Sequence, residues 1–211
     1  MPFDRFNRRK KTVLSKQDKS SKGNCDEKVV SLCEKINSLD NYYTTSSCSG
    51  RIVLMIDQDK KAEGLFKFVS HDLITFEELK NELEKIFLSN SSPPAQRERN
   101  KRNEDILEKS NPLNIKFKQE PCVLHVACKN LEDAFHILNK AKKVGWKRSG
   151  IISEGNGFVV ELLSTEKLEF PIIHEEELIV DDKFLKIVVN KANENLKKSW
   201  GKIKELEKEI K

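Results

Sequence analysis

The stretch SGIISEGNGFVVELL, residues 149–163, decides the fold class. It holds the chain's only Gly-x-Gly, at Gly155-Asn156-Gly157. In a dinucleotide-type sheet that motif follows a buried strand and opens a helix, so that backbone amides can cradle a phosphate. Here apolar and β-branched residues flank it on both sides. The pattern therefore reads as two strands, Trp146–Ile152 and Phe158–Leu163, joined by a tight turn for which Asn-Gly is well suited. A doubly wound, Rossmann-like fold is excluded, and any nucleotide-like ligand must be held by other means.

Upstream, Leu131, Ala134, Phe135, Leu138, Ala141 and Val144 recur at helical spacing. Ile115–Phe117 and Cys122–Ala127 read as strands before that helix. Still earlier, SNSSPPAQRERNKRNED (Ser89–Asp105) combines prolines, serines and mixed charges, and it reads as a loop crossing. The first half begins with a helix from about Asp26, its cap, to Leu39. Strands follow at Tyr42–Ser46, Ile52–Ile56 and Leu65–Val69, then a helix over Phe76–Leu88. A last helix spans Asp181–Ile210, roughly 45 Å at the α-helical rise. It can rest along a sheet or pair with a copy of itself.

Residues 1–211 thus read as a single α+β domain around a mainly antiparallel sheet. A basic arm over 1–24 precedes a first half over 25–88, and a charged linker loop over 89–112 leads to a second half over 113–170. The long helix over 181–211 closes the chain. The halves align by type, with Asn41-Tyr42-Tyr43 and Ser49-Gly50 matching Gly145-Trp146-Lys147 and Ser149-Gly150. This suggests internal duplication of a β-α-β-β unit.

The 39 Lys and Arg exceed the 34 Asp and Glu, for a formal charge of +5. That mild excess is compatible with a polyanionic partner. Five cysteines without a CxxC pair fit reduced thiols, and no ligand spacing points to a metal. The charged start, MPFDRFNRRKK, has no apolar segment behind it, and no run is long enough to span a membrane. A soluble cytoplasmic protein is expected.

The most unusual segment is TTSSCSGR, Thr44–Arg51, read as a polar turn between two strands. Together with Ser70-His71-Asp72, Glu120-Pro121-Cys122-Val123-Leu124-His125-Val126 and Gly145-Trp146-Lys147-Arg148-Ser149-Gly150, it resembles the tRNA wybutosine-synthesizing protein 3 family. The likeness runs from about Lys19 to Leu163. It implies an S-adenosyl-L-methionine-dependent enzyme that methylates ring nitrogen N4 of a 4-demethylwyosine-type base beside the anticodon of phenylalanine tRNA. It also implies an α+β fold unlike that of most methyltransferases.

Methyl transfer demands collinear nucleophile, methyl carbon and sulfur, so orientation carries much of the rate. Ser46, Ser47 and Ser49 are expected to hydrogen-bond the cofactor, Gly50 to admit its close approach and Arg51 to take its carboxylate. Ser149 and Gly150 occupy the equivalent place in the second half. His71 and His125 are the candidate acceptors for the proton lost from N4. Arg8, Arg9, Lys10, Lys147 and Arg148 are expected on tRNA phosphates, with Trp146 as a stacking platform for a base. Two rival readings are a non-catalytic tRNA-binding protein and a hydrolase with Cys48 as nucleophile and His71 or His125 as base.

Overall fold

A computed structural model describes residues 2–15, 26–58, 64–90, 113–154 and 157–210. In chain order its elements are α1 (Pro2–Leu14), α2 (Glu27–Ser38), β1 (Tyr42–Cys48), β2 (Arg51–Ile56), β3 (Phe66–Ser70) and α3 (Phe76–Asn90). After α3, whose last two residues take the start of the expected linker into the helix, come β4 (Ile115–Glu120), β5 (Val123–Cys128), α4 (Leu131–Lys143), β6 (Gly150–Ser153), β7 (Phe158–Leu163), β8 (Leu168–His174), β9 (Glu177–Leu178) and α5 (Asp182–Glu209). They form two compact units. One comprises Met1–Arg51, Gln119–Lys167 and Glu194–Lys211, and the other Ile52–Lys118 and Leu168–Asn193.

The first unit is built on a four-stranded sheet of order β1-β5-β7-β6, antiparallel throughout. Period-two alternation sends Leu124, Val126, Cys128, Val160 and Leu162 to one face. Against that face pack Val29, Leu32, Cys33 and Ile36 of α2, and Ala134, Ile137, Leu138 and Ala141 of α4. Ile203 and Leu206 of α5 and the following Ile210 complete the core. Asp26 caps α2 by accepting from the Lys28 N–H at 3.3 Å, and Asn130 caps α4 by accepting from the Asp133 N–H at 2.8 Å.

The opposite face of this sheet carries α1, seated where the Phe6 and Tyr43 rings lie 5.2 Å apart. The basic arm therefore begins as an ordered helix. Its sequence hides this, because its apolar positions are few and the packing partner, Tyr43, is remote along the chain. Residues 16–24 of the expected arm lie outside the described residues, as do residue 25 of the first half and 91–112 of the charged linker.

The second unit holds most of the five-stranded sheet, of order β3-β2-β4-β8-β9. The α3 residues Leu79, Leu83 and Ile86 and the α5 residues Leu185, Val188 and Val189 are buried there with Ile52, Val53, Leu54 and Ile115. Phe117 stacks on Phe170 at 5.3 Å, and Phe170 meets Phe184 edge-on at 5.4 Å. The apolar stripe of the long helix is thus used inside the chain, with Leu185, Val188 and Val189 in the second unit and Leu196, Ile203 and Leu206 in the first.

The fold is α+β with antiparallel pairing and no doubly wound sheet, as the Gly-x-Gly between strands requires. The expected duplication is not visible in the strand order. Chain before the linker gives β1 to one sheet and β2 and β3 to the other, whereas chain after it gives three strands to each. The hairpin of β6 and β7 forms as read, with Gly155 and Asn156 of its turn outside the described residues. Its first strand starts at Gly150 and not at Trp146, because the chain turns at Gly145 (φ +94°) and again at Ser149, whose N–H bonds the Trp146 carbonyl at 3.3 Å.

Candidate functional site

The half-exposed face of the four-stranded sheet carries a row of polar side chains across three adjacent strands. Register places Ser46 of β1 opposite His125 of β5, and His125 opposite Glu161 of β7. The pairing of Glu161 with Gly150 extends the row to β6, where a side chain is missing. Ser46 Oγ lies 3.0 Å from His125 Nδ1, and His125 Nε2 lies 2.9 Å from Glu161 Oε2. The His125 and Glu161 side chains are 31% and 33% exposed, so the row is accessible without being fully hydrated.

A β-bulge creates this alignment. Thr44 pairs with Val126 on the core side, where its N–H donates to Asn37 Oδ1 at 2.7 Å. The next pair is Ser46 with His125, so Thr45 is the extra residue. Without it, strict alternation would return Ser46 to the face of Thr44. The inserted residue turns Ser46 to the face of His125.

Carboxylates accept and do not donate, so the neutral imidazole donates from Nε2 to Glu161 and accepts the Ser46 hydroxyl at Nδ1. The arrangement can receive one proton through a hydroxyl and hold the resulting imidazolium against a carboxylate. Glu161 escaped the sequence reading. Its signal was one acid inside the apolar strand Phe158–Leu163, just as His125 interrupts the apolar strand Val123–Cys128.

The remaining sequence-derived residues fall into different settings. TTSSCSGR is not a polar turn, since Thr44–Cys48 lies within β1, and β1 and β2 belong to different sheets. Ser47 pairs with Leu124 in register. Ser49 is fully buried. Its N–H donates to Asp26 Oδ2 at 3.0 Å, and its Oγ has no hydrogen-bond partner. Gly50 has φ +100°, and an added Cβ would lie 3.0 Å from the Glu120 carbonyl oxygen. Arg51 Nε donates to Glu120 Oε2 at 2.5 Å.

Ser149 is not a ligand donor, because its hydroxyl donates to the Trp146 carbonyl at 2.7 Å and accepts the Leu163 N–H at 2.9 Å. Gly150 has open space beside it. Trp146 is not a stacking platform. Its ring is wholly buried and its Nε1–H donates to the Lys202 carbonyl at 3.2 Å, as the apolar bulk of indole at a helix-to-strand junction favours.

Arg8 and Arg9 are exposed on α1, with Arg9 close enough to Tyr43 to oppose the upward pull of burial on that hydroxyl. Lys10 donates to the Leu39 carbonyl at 2.6 Å, and burial lowers its pKa against the pull of Asp40. Lys147 and Arg148 are exposed. His71 follows β3 in the second unit, half-buried.

The thiols of Cys122 and Cys128 offer little nucleophilic character. Burial, and then Asp133, pushes Cys128 up to about 12, and burial holds Cys122 far above its ordinary range. Cys48 is half-buried, but both ring nitrogens of His125 are engaged by Ser46 and Glu161, so no Cys48–His125 dyad forms. Among the described residues no helix is long and apolar enough to cross a membrane.

Comparison with known proteins agrees with this architecture. The chain is 34% identical over 205 residues to a Thermococcus sibiricus protein named tRNA(Phe) 7-((3-amino-3-carboxypropyl)-4-demethylwyosine(37)-N(4))-methyltransferase, covering 96% of this chain and 92% of that one. A tRNA wybutosine-synthesizing protein 3 homolog from Danio rerio is 32% identical over 209 residues, covering 96% of this chain and 73% of its own. The solved structure of the PH1069 protein from Pyrococcus horikoshii superposes with a TM-score of 0.80 at 30% identity, covering 100% of this chain and 99% of that one. The family described as methyltransferase TYW3 matches residues 8–211, through the last helix that the sequence likeness left aside. With a match of that length, the chain belongs to the methyltransferase TYW3 family.

Proposed function

We propose that this chain uses S-adenosyl-L-methionine to methylate ring nitrogen N4 of a 4-demethylwyosine-type base next to the anticodon of phenylalanine tRNA. Residues 1–211 would act as one methyltransferase domain in the cytoplasm, where reduced thiols persist. The observation that carries the reading is the Ser46–His125–Glu161 row. Methylation of a ring N–H releases one proton, and His125 is a positioned acceptor for it on an accessible face.

The bound donor supplies a methyl group on a sulfonium, whose departure as a neutral thioether needs no covalent enzyme intermediate. The residues near Ser49 fit such a group in part. Ser49 Oγ is buried without a partner and suits a ribose or amino-acid polar atom. The Asp26 carboxylate at 3.0 Å from the Ser49 N–H favours the donor's cationic groups over its carboxylate. Arg51, held by Glu120, is a weaker candidate for that carboxylate than its sequence position implied. Ser47 and Gly50 complete the proposed donor set.

Exposed Arg8 and Arg9 on one side and Lys147 and Arg148 on another offer cations for RNA phosphates, so affinity should fall as salt rises. Incubation with labelled S-adenosylmethionine and phenylalanine tRNA bearing the unmethylated base, followed by nucleoside mass analysis, tests the function. One added methyl on the tricyclic base is expected. An unchanged nucleoside would defeat the reading. His125→Gln should lower kcat by about 10²–10⁴-fold. His71→Gln serves as its comparison, and a loss confined to that variant would move the base to His71.

A further inference from the structure

We propose that Ser46 is a proton relay, and that Glu161 is the positioning residue that fixes the His125 tautomer this relay requires. The inference rests on the methyltransferase reading and reassigns Ser46, which the sequence likeness placed among donor ligands. Three observations carry it: the 2.9 Å contact of Glu161 with Nε2, the 3.0 Å contact of Nδ1 with Ser46 Oγ, and the bulge at Thr45 that turns Ser46 to this face.

A neutral imidazole has one N–H, and which nitrogen carries it follows from the partner of the other. Glu161 can only accept, so the proton sits on Nε2 and Nδ1 keeps its lone pair. That lone pair is already occupied by the Ser46 hydroxyl, so an incoming N–H meets Ser46 Oγ before it can reach the ring. As the N4 lone pair bonds the methyl carbon and the carbon–sulfur pair leaves with sulfur, the N4 proton passes to Ser46 Oγ. The original Ser46 proton passes to His125 Nδ1. One proton is gained by the imidazole, Ser46 returns to a neutral hydroxyl, and the imidazolium donates to Glu161 from Nε2. Return of the proton to water resets the row. The gap at Gly150 leaves the space beside Glu161 open on the same face.

The test reads the tautomer first, without substrate, by nitrogen-15 NMR of the histidine-labelled full chain. The wild-type protein should show His125 protonated at Nε2. Glu161→Gln, whose carboxamide oxygen also accepts, should keep that tautomer, whereas Glu161→Leu should give a mixture. A wild-type imidazole protonated at Nδ1, or a tautomer indifferent to Glu161→Leu, overturns the proposal.

In the methylation assay Ser46→Ala should lower kcat about 10²-fold or more with an unchanged KM for S-adenosylmethionine. A raised KM at unchanged kcat would return Ser46 to the donor site and overturn the relay. A wild-type chain that fails to methylate the tRNA defeats the function itself. An unexpected tautomer in a chain that methylates defeats the relay alone.

Discussion

The chain carries two Ser-Gly pairs, Ser49-Gly50 and Ser149-Gly150, and they are used in opposite ways. Ser149 spends its hydroxyl twice on backbone, and Gly150 sits in open space with no requirement for a missing side chain. Ser49 is buried with its hydroxyl unused. Gly50 is held at φ +100° where a Cβ would press on the Glu120 carbonyl and, at 3.1 Å, on Leu196 Cδ2. A buried hydroxyl without a partner is disfavoured in a well-packed interior, so the first pair keeps a hydroxyl that a ligand could satisfy, as the proposed donor site requires, whereas the second is a structural staple. The same dipeptide carries no function by itself. Its surroundings do.

The largest effect is expected on the staple side, where the loop holding Ser149 is tied to α5. Trp146 donates to the Lys202 carbonyl, and the Lys202 ammonium meets Glu166 at 2.5 Å and Thr165 at 2.9 Å. Burial alone would raise the Glu166 pKa, but hydrogen bonds from Lys202, its own backbone and Thr165, with the charge of Lys202, together outweigh it and leave the group below its ordinary range. Lys202→Met would strand that carboxylate, 11% exposed, and cost about 3–5 kcal/mol in denaturant unfolding at neutral pH. Because the folded pKa is depressed, the pair's contribution is complete above the ordinary carboxylate range and disappears as pH falls through the folded value. The gap between wild type and variant should therefore narrow in acid. A constant gap would mean that packing, and not charge, sets the loss.

Next in size is the contrast between the glycines. Gly50→Ala must adopt a left-handed backbone and displace a backbone oxygen, so about 1–3 kcal/mol of stability should go. Gly150→Ala meets neither obstacle and should stay within about 0.5 kcal/mol of wild type. Equal losses at the two positions would erase the distinction between them.

What the sequence revealed of this molecule is what local chemistry decides. The cap at Asp26, the apolar faces of α2 and α4 and the pairing of β6 with β7 are all written within a few residues. Helix α1 is not, because its supports, Tyr43 and the Leu39 carbonyl, are remote along the chain. Strand β8 was missed since Pro171 argues against a strand, yet β9 pairs only with Ile173 and His174. Beyond those two residues and Ile172, whose carbonyl accepts the Ile179 N–H, the β9 side of β8 has no strand partner among the described residues, and a proline is tolerated there. At the site, Ser46 and His125 were legible as polar residues in strands, but their contact depends on one bulge, and Glu161 is joined to them only by register. Trp146 was misread because neighbouring cations suggested RNA while its own bulk placed it in the core.

The smallest effects test the comparison most directly. Ser149→Ala removes the acceptor of the Leu163 N–H and the donor to Trp146, and about 1–2 kcal/mol of stability should be lost. Ser49→Ala removes a hydroxyl that bonds nothing, so the unfolding midpoint should stay in place or rise slightly. Its consequence belongs to the donor: loss of one hydrogen bond should raise the KM for S-adenosylmethionine by up to about tenfold, with kcat little changed. If Ser49→Ala instead destabilised the fold as much as Ser149→Ala and left KM alone, both pairs would be staples. The place for the methyl donor would then have to be sought away from Ser49.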